Sequence, residues 1–133
     1  MEQVNLCIMT PRTDPPALTS DQRRVLEQYS RFEVGLNKVR GALRDVMEFN
    51  FEVDKRWVNT FFLVPEPGIQ ITREHIANAL AKKREGLISE RDLVYWASML
   101  LMNDAYELDS QDEGFIADWL NDISYELDPS SGE

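Results

Sequence analysis

The hydrophobic pattern changes its period near the middle of this chain. Before position 47, apolar residues recur at alternating intervals of three and four, which places them on one side of an α-helix. These positions are Tyr29, Phe32, Leu36, Val39, Leu43 and Val46. From position 47 onward apolar and polar residues alternate, which is the pattern of a half-buried strand. The chain therefore combines helix with sheet.

The apolar positions before residue 47 predict one long amphipathic helix. Residues 19–21 offer side chains that can cap its start. Gly35 and Gly41 lie inside the pattern, and each costs roughly 1 kcal/mol relative to alanine in a helix. We predict a single helix and leave open whether these two glycines divide it.

Two β-rich runs predict a small β-hairpin near residues 47–64. In the first run Met47, Phe49, Phe51 and Val53 alternate with polar residues. Residues 54–56 supply a turn, and the second run covers residues 57–64. Two prolines and a glycine within residues 65–68 end it.

The remainder of the chain carries start and stop signals for three helices. The starts are marked by Thr72, by the capping-box pair Ser89 and Asp92, and by the pair Ser110 and Glu113. Gly86 ends the first of these helices and Pro129 ends the last. The last helix has one apolar face, made of Phe115, Ile116, Trp119, Leu120, Ile123 and Leu127. We expect Trp96 and Trp119 to lie in the core.

These elements predict an α+β fold that is mainly α-helical, with about four helices and the hairpin. A length of 133 residues suits one domain, residues 1–133, and 43% hydrophobic residues are enough for a core. Residues 1–19 and 129–133 are predicted to be loop or poorly ordered, because prolines, glycine and polar residues dominate there.

Cysteine usage and hydropathy predict a cytoplasmic protein. The single Cys7 cannot form an internal disulfide, which suits a reducing compartment. The first residues lack the basic segment of a secretion signal. No apolar run approaches the ~20 residues of a membrane span, so no membrane partner is expected.

Charge is distributed unevenly along the chain. Eleven carboxylates follow Arg91, the last basic residue, with no positive charge among them. The first 91 residues carry 14 Lys and Arg against 13 Asp and Glu, whereas the whole chain has a net charge of −10. Such an asymmetry concerns partners rather than fold. It favours a basic protein partner and opposes nucleic acid or anionic lipid.

The acidic C-terminal segment supplies the candidate binding surface. Its last helix carries acids at i, i+4 and i+8, beside the apolar face, and Tyr106 and Tyr125 are expected to act as surface anchors. The predicted surface consists of Asp104, Tyr106, Glu107, Asp109, Asp112, Asp118, Asp122, Tyr125 and Glu126. The alternative is a surface that only solubilises the chain or is neutralised by its balanced first half.

Catalytic, cofactor and metal sites are not predicted. His75 is the only histidine and falls in the first turn of its helix, where a capping role is expected. The segment from Asp109 is similar to a calcium-binding loop, but Leu120 stands where a bidentate glutamate is required. Glycine-rich phosphate loops and nucleophile elbows are missing. We therefore predict a protein that is not an enzyme.

Residues 68–127 contain a pattern that resembles small acidic bacterial immunity proteins of polymorphic and contact-dependent toxin systems. The pattern consists of Ile71-Thr72, His75-Ile76, Ala79-Leu80, Gly86 to Ser89, Leu93 and Trp96-Ala97. The resemblance implies a cytoplasmic inhibitor that binds a cognate toxin and blocks its surface. Such toxins are often nucleases with basic clefts, so a nuclease toxin is one candidate partner.

Sequence alone thus favours a non-catalytic acidic binding protein of the immunity or antitoxin type. A first alternative is a structural or adaptor protein that pairs through its long amphipathic helix. A second alternative is an enzyme that uses a metal held by carboxylates between Asp104 and Asp118. The oligomeric state is left open.

Overall fold

The computed structural model describes residues 15–52 and 55–124, apart from the side chain of Glu52. Within these ranges the chain forms five helices and four strands. In chain order they are α1 Ser20–Ser30, α2 Leu36–Ala42, β1 Met47–Glu52, β2 Lys55–Thr60, β3 Ile69–Ile71, α3 Arg73–Arg84, α4 Glu90–Met102, β4 Tyr106–Leu108 and α5 Glu113–Ser124. The predicted α+β, mainly helical class is confirmed, with five helices in place of about four.

The prediction of one long helix is wrong, because the chain leaves the helix after Ser30. The amide of Phe32 donates to the carbonyl of Tyr29, and the amide of Glu33 donates to that of Gln28, which together form a Schellman motif. Phe32 adopts φ 60, a left-handed conformation that costs a non-glycine residue roughly 1–2 kcal/mol. Gly35 is the N-cap of α2, and Gly41 lies within α2.

Contacts with α4 explain why α1 ends where it does. The ring of Phe32 stacks on that of Trp96, with centroids 5.3 Å apart. The Trp96 indole N–H donates to the carbonyl oxygen of Ser30, an acceptor at the end of α1. Stacking and hydrogen bonding offset the strain at Phe32, so tertiary contacts override the helical period.

The predicted hairpin is confirmed, with its turn shifted towards the first strand. β1 and β2 are antiparallel, and the register runs from Met47 opposite Thr60 to Glu52 opposite Lys55. Lys55 and Arg56, expected in the turn, therefore belong to β2. The Arg56 guanidinium reaches out of the hairpin and donates to the carbonyl of Ser124 at 2.6 Å.

A second sheet, not predicted from the sequence, pairs β3 with β4. The two strands are parallel, with Ile69 opposite Tyr106 and Ile71 opposite Leu108. Gly68 precedes β3 at a point of close approach, where an added Cβ would lie 2.8 Å from Oε1 and 3.0 Å from Cβ of Glu107. The small sheet thereby brings the middle of the chain against the segment between α4 and α5.

Local cap signals predicted the starts of α3 and α4, whereas α5 starts later than expected. Ser89 Oγ accepts from the Asp92 amide at 3.0 Å, as the capping box requires. The capping box expected at Ser110 does not open α5. The carbonyl of Asp112 accepts from the Ile116 amide at 2.9 Å instead, so Asp112 is the N-cap residue.

One continuous core joins these elements, and α4 lies at its centre. Its largest fully buried side chains include Trp96, Leu26, Leu43, Ile71, Met99, Ile116 and Leu120. Tyr29, Val39, Leu43 and Val46 of the predicted helical stripe are buried in this core as well. That stripe is therefore used within the domain, where it packs against the core.

Candidate interaction surface

The predicted acidic surface is divided between two places in the fold. Asp104 and Asp109 lie on either side of β4, and Glu107 belongs to it. The exposed Glu107 side chain accepts a hydrogen bond from Gln70 Nε2 at 3.0 Å. Asp112, Asp118 and Asp122 belong to the start and the body of α5. Tyr125 and Glu126 lie outside the described residues.

Tyr106 is not a surface anchor, so this part of the prediction is wrong. Its side chain is buried, with 8% of its surface exposed. Its hydroxyl donates to the carbonyl oxygen of Leu26 at 2.6 Å, which ties β4 to α1. Burial raises the pKa of this hydroxyl well above its ordinary value, so it remains a donor. Tyr106 falls outside the helical stripes because it belongs to a strand that local periodicity did not identify.

The Asp112 carboxylate is neutralised by Arg73, a basic residue from the part of the chain that precedes the acidic segment. The Arg73 side chain, at the start of α3, places Nε 3.0 Å from Asp112 Oδ1. The same guanidinium lies over the ring of Phe115, with Cζ 4.0 Å from the ring centroid. One arginine is thus held by a carboxylate and an aromatic face together. Asp112 is therefore part of an internal ion pair rather than a free docking residue.

Trp119 was predicted to be in the core, and this is wrong. Trp119 is 38% exposed and Phe115 is 42% exposed, whereas Ile116, Leu120 and Ile123 fill the contact with the core. The two exposed rings are four residues apart, and their centroids are 6.4 Å apart. The apolar stripe of α5 is therefore wider than the strip that the core covers.

Two carboxylates lie beside the exposed rings. Asp118 follows Phe115 by three residues and Asp122 follows Trp119 by three, a spacing that makes helix residues surface neighbours. Both carboxylates belong to exposed residues, and within the described part of the chain neither has a basic partner. We name Phe115, Asp118, Trp119 and Asp122 the α5 outer face. It keeps the two acids of the predicted stripe that are described, and it has two aromatic rings in place of Tyr106.

The exposure of Phe115 and Trp119 could not be predicted from the sequence, for a physical reason. Phe115 and Trp119 obey the same helical period as the buried residues, so periodicity alone assigns them to the core.

His75 has the capping role expected from its position. Its Nδ1 accepts from the Thr72 amide at 3.0 Å, and the Thr72 hydroxyl lies 3.2 Å away. Burial, followed by the positive charge of Arg31, lowers its pKa below the ordinary value of 6.5. Its Nδ1 is therefore occupied in holding the start of α3.

Metal ligands do not converge in the described residues. In residues 15–52 and 55–124, no three side chains among His, Cys, Asp and Glu are grouped closely enough to hold a metal ion. The same ranges contain no helix with the length and apolar character needed to cross a membrane.

Comparison of the whole chain with protein-family models, with curated proteins and with solved structures finds no match.

Proposed function

We propose that this protein is a non-catalytic binding protein that docks a basic protein partner on the α5 outer face. In its most specific form, the proposal is an immunity- or antitoxin-type inhibitor that occludes the basic surface of a cognate toxin. The observation that carries it is the pairing of two exposed aromatic rings with two carboxylates that lack basic partners in the described chain.

The aromatic rings supply the anchors. Tryptophan is among the residues that contribute most when an interface is desolvated, and its two side-chain torsions make it inexpensive to order. Trp119 and Phe115 stand side by side on a helix, so their positions are fixed before binding. A partner that covers them removes apolar surface from water without reorganising the fold.

The carboxylates select the sign of the partner's charge. Asp118 and Asp122 repel each other weakly at i, i+4, and no basic residue follows Arg91 in the sequence. A basic partner would relieve this repulsion. Its approach would also be steered by the negative field, which can raise association rates by about 10–10³.

The Arg73 contact shows, inside the molecule, how this helix holds a guanidinium. Asp112 and Phe115 bind Arg73 from α3 through one ion pair and one cation–π contact. Trp119 and Asp122 also offer a ring and a carboxylate, but here the carboxylate follows the ring by three residues, whereas Asp112 precedes Phe115 by three. An arginine of the partner would use the same two kinds of contact there, an ion pair and a cation–π contact.

Occlusion is the mechanism that follows for an inhibitor. A nucleic-acid-cleaving toxin holds substrate phosphates with basic side chains. Carboxylates of the α5 outer face would occupy those side chains, and the aromatic anchors would slow dissociation.

The test begins with capture of partners from the source cell's lysate by the immobilised full chain at low ionic strength. The captured partner is then purified and its affinity measured for four proteins. These are the wild type, Trp119→Ala, the double variant Asp118→Asn/Asp122→Asn, and the control Glu85→Gln/Glu90→Gln. The control removes two exposed acids far from α5 in the sequence, with the same change in net charge.

We expect Trp119→Ala to weaken binding by at least ~30-fold, as for an interface anchor. The aspartate double variant should lower the association rate by ~10-fold at low salt, while the control stays within about twofold. Equal binding to all four proteins, or recovery of the chain alone, would contradict the docking proposal. A partner that binds yet keeps its full activity would contradict only the inhibitor role.

A further inference from the structure

A second region, separate from the α5 outer face, has the form of a small-ligand site. A cavity of about 300 Å³ lies between the end of α1 and the start of α4. Its apolar walls come from Phe32, Val34, Leu36 and Ile88. Its volume lies at the lower end of the range found for ligand pockets, so it suits a small molecule or one side chain.

Tyr29 also lines this cavity, and its hydroxyl lacks a partner in the part of the chain that the structure describes. The side chain is buried, with 2% of its surface exposed. Among the described residues its hydroxyl has no hydrogen-bond partner, whereas the hydroxyl of the other buried tyrosine, Tyr106, donates to Leu26. Buried polar groups are rarely left unpaired, so an unpaired hydroxyl on a residue that lines a cavity is a candidate hydrogen-bond partner for a ligand.

The polar end of the cavity is acidic. Glu33 and Asp92 line it, and no basic residue does. Glu33 is already paired with Arg31 at 2.9 Å. Asp92 Oδ2 accepts from the Ser89 amide, and its other oxygen, Oδ1, has no partner in the described residues. Asp92 therefore supplies an available carboxylate oxygen.

Asp92 and Tyr29 act on each other. Burial raises the pKa of the Tyr29 hydroxyl far above its ordinary value, and the negative charge of Asp92 raises it further. The hydroxyl therefore stays protonated and can both donate and accept. A positive charge placed between the two groups would be attracted by both oxygens.

The cavity wall is held in place by the core. Phe32 lies in the left-handed region at φ 60, and its ring is held against Trp96. The Schellman motif and the Trp96 contact account for this conformation, so the wall is formed before any ligand binds. The C-terminus of α1 adds partial negative charge at this end, while Glu90 and Asp92 offset the positive end of α4.

We propose that this cavity binds a small organic cation, an ammonium group carried on an apolar or aromatic body. The ammonium lies between Asp92 Oδ1 and the Tyr29 hydroxyl, and the body packs on Phe32 and Ile88. The site is independent of the α5 outer face, so it would be an additional function of the protein.

The test is a titration of the full chain with 2-phenylethylammonium, followed by NMR. Two matched probes share its ring: 2-phenylethanol is neutral, and 3-phenylpropanoate is negative. We expect saturable shifts at Ile88, Phe32 and Tyr29 with the ammonium, binding at least ~10-fold weaker for the alcohol, and none for the acid. Absence of saturable shifts, or equal binding of the negative probe, would overturn the proposal.

Substitutions in the cavity distinguish specific binding of the ammonium from nonspecific hydrophobic binding of its ring. Tyr29→Phe removes only the hydroxyl and should weaken binding by ~10-fold. Asp92→Asn removes the charge but keeps a side-chain oxygen for the cap, and should weaken binding by ~10-fold or more. Tyr106→Phe, which alters the hydrogen-bonded tyrosine, should stay within about twofold. Wild-type affinity in Asp92→Asn would sink the idea, whatever the effect of Tyr29→Phe.

Discussion

Trp96 donates its indole N–H to the carbonyl oxygen of Ser30 at 3.1 Å, a contact between α4 and the last turn of α1. The indole also carries the ring of Phe32, which leaves the helix in a left-handed conformation. Trp96 therefore fills the core and satisfies the Ser30 carbonyl, which has no partner within its own helix. It also stabilises the break between α1 and α2.

Replacing Trp96 with phenylalanine should remove this hydrogen bond and leave a cavity. We expect a loss of about 2–4 kcal/mol in the free energy of unfolding, measured by urea denaturation. Trp57→Phe is the matched control, because Trp57 is exposed and should change stability by no more than about 0.5 kcal/mol. Equal effects of the two substitutions would show that the indole of Trp96 has no special structural role.

The two buried tyrosines should respond to loss of their hydroxyl groups with opposite signs. Tyr106→Phe removes the bond to Leu26 and should lower stability by about 1 kcal/mol. Tyr29→Phe removes a buried hydroxyl that has no partner within residues 15–52 and 55–124, and it should raise stability by about 1 kcal/mol in the absence of ligand. Thermal or urea unfolding of the two variants checks this, and a loss at both positions would mean that the Tyr29 hydroxyl is already satisfied.

Two glycines should also respond in opposite directions to alanine. Gly41 lies inside α2, and an added Cβ would meet nothing within 4 Å. Gly41→Ala should therefore stabilise the protein by about 0.5–1 kcal/mol. At Gly68 the new Cβ would meet the Glu107 side chain, and Gly68→Ala should destabilise by about 1–3 kcal/mol. Calorimetric melting of both variants tests the two predictions. Stabilisation by Gly68→Ala would contradict the close approach of the Gly68 backbone to Glu107 in β4.

His75 should make stability fall as the solution becomes acidic. Its folded pKa lies below the ordinary value of 6.5, so folding favours the neutral ring that accepts from Thr72. Its contribution is complete above the unfolded pKa and is lost as the pH falls through the lowered folded pKa. His75→Gln keeps an acceptor at the same helix position without titrating in this range. Wild type should lose stability relative to this variant as the pH falls through about 6.5 and below. Parallel profiles would refute the assignment.

Charge reversal on α5 should separate stability from binding. Asp122→Lys places a lysine four residues after Asp118 and near the C-terminus of α5, and both placements are favourable. We expect stability to rise by about 0.5 kcal/mol while affinity for the basic partner falls. Unfolding in urea and partner titration measure the two effects. A loss of stability would mean that Asp122 holds the helix in place.

Sequence signals that act within a few residues predicted the fold well. The capping boxes at Thr72 and Ser89 and the left-handed Gly86 set the boundaries of α3 and the start of α4, because their hydrogen bonds join neighbours in the chain. The alternation from Met47 likewise predicted β1. In each case the interactions that form the element join residues close together in the sequence.

Contacts between distant parts of the chain account for the errors. Helix α1 ends before Phe32 because the Phe32 ring packs on Trp96, which lies 64 positions later in the sequence. Local sequence preferences do not predict a phenylalanine in the left-handed conformation. The pairing of β3 with β4 depends on strands of three residues each, too short for an alternating pattern to be visible. The same limit hid Tyr106 in β4 and misassigned it as a surface anchor.

The sequence predicted the acidic residues of the candidate site but not its exposed aromatic residues. Asp118 and Asp122 were identified because an unbalanced charge count is visible in the sequence. Phe115 and Trp119 were not, because periodicity gives the direction of an apolar stripe but not how much of its width the core covers.

The reach of Arg56 has a consequence for the order in which the protein can be completed during synthesis. Its guanidinium in β2 holds Ser98 in α4 and the carbonyl of Ser124 in α5. A chain growing from the ribosome presents the hairpin long before these partners exist. The hairpin therefore remains without these two native anchors until α5 has emerged, so this part of the tertiary structure forms only after most of the described chain has been made.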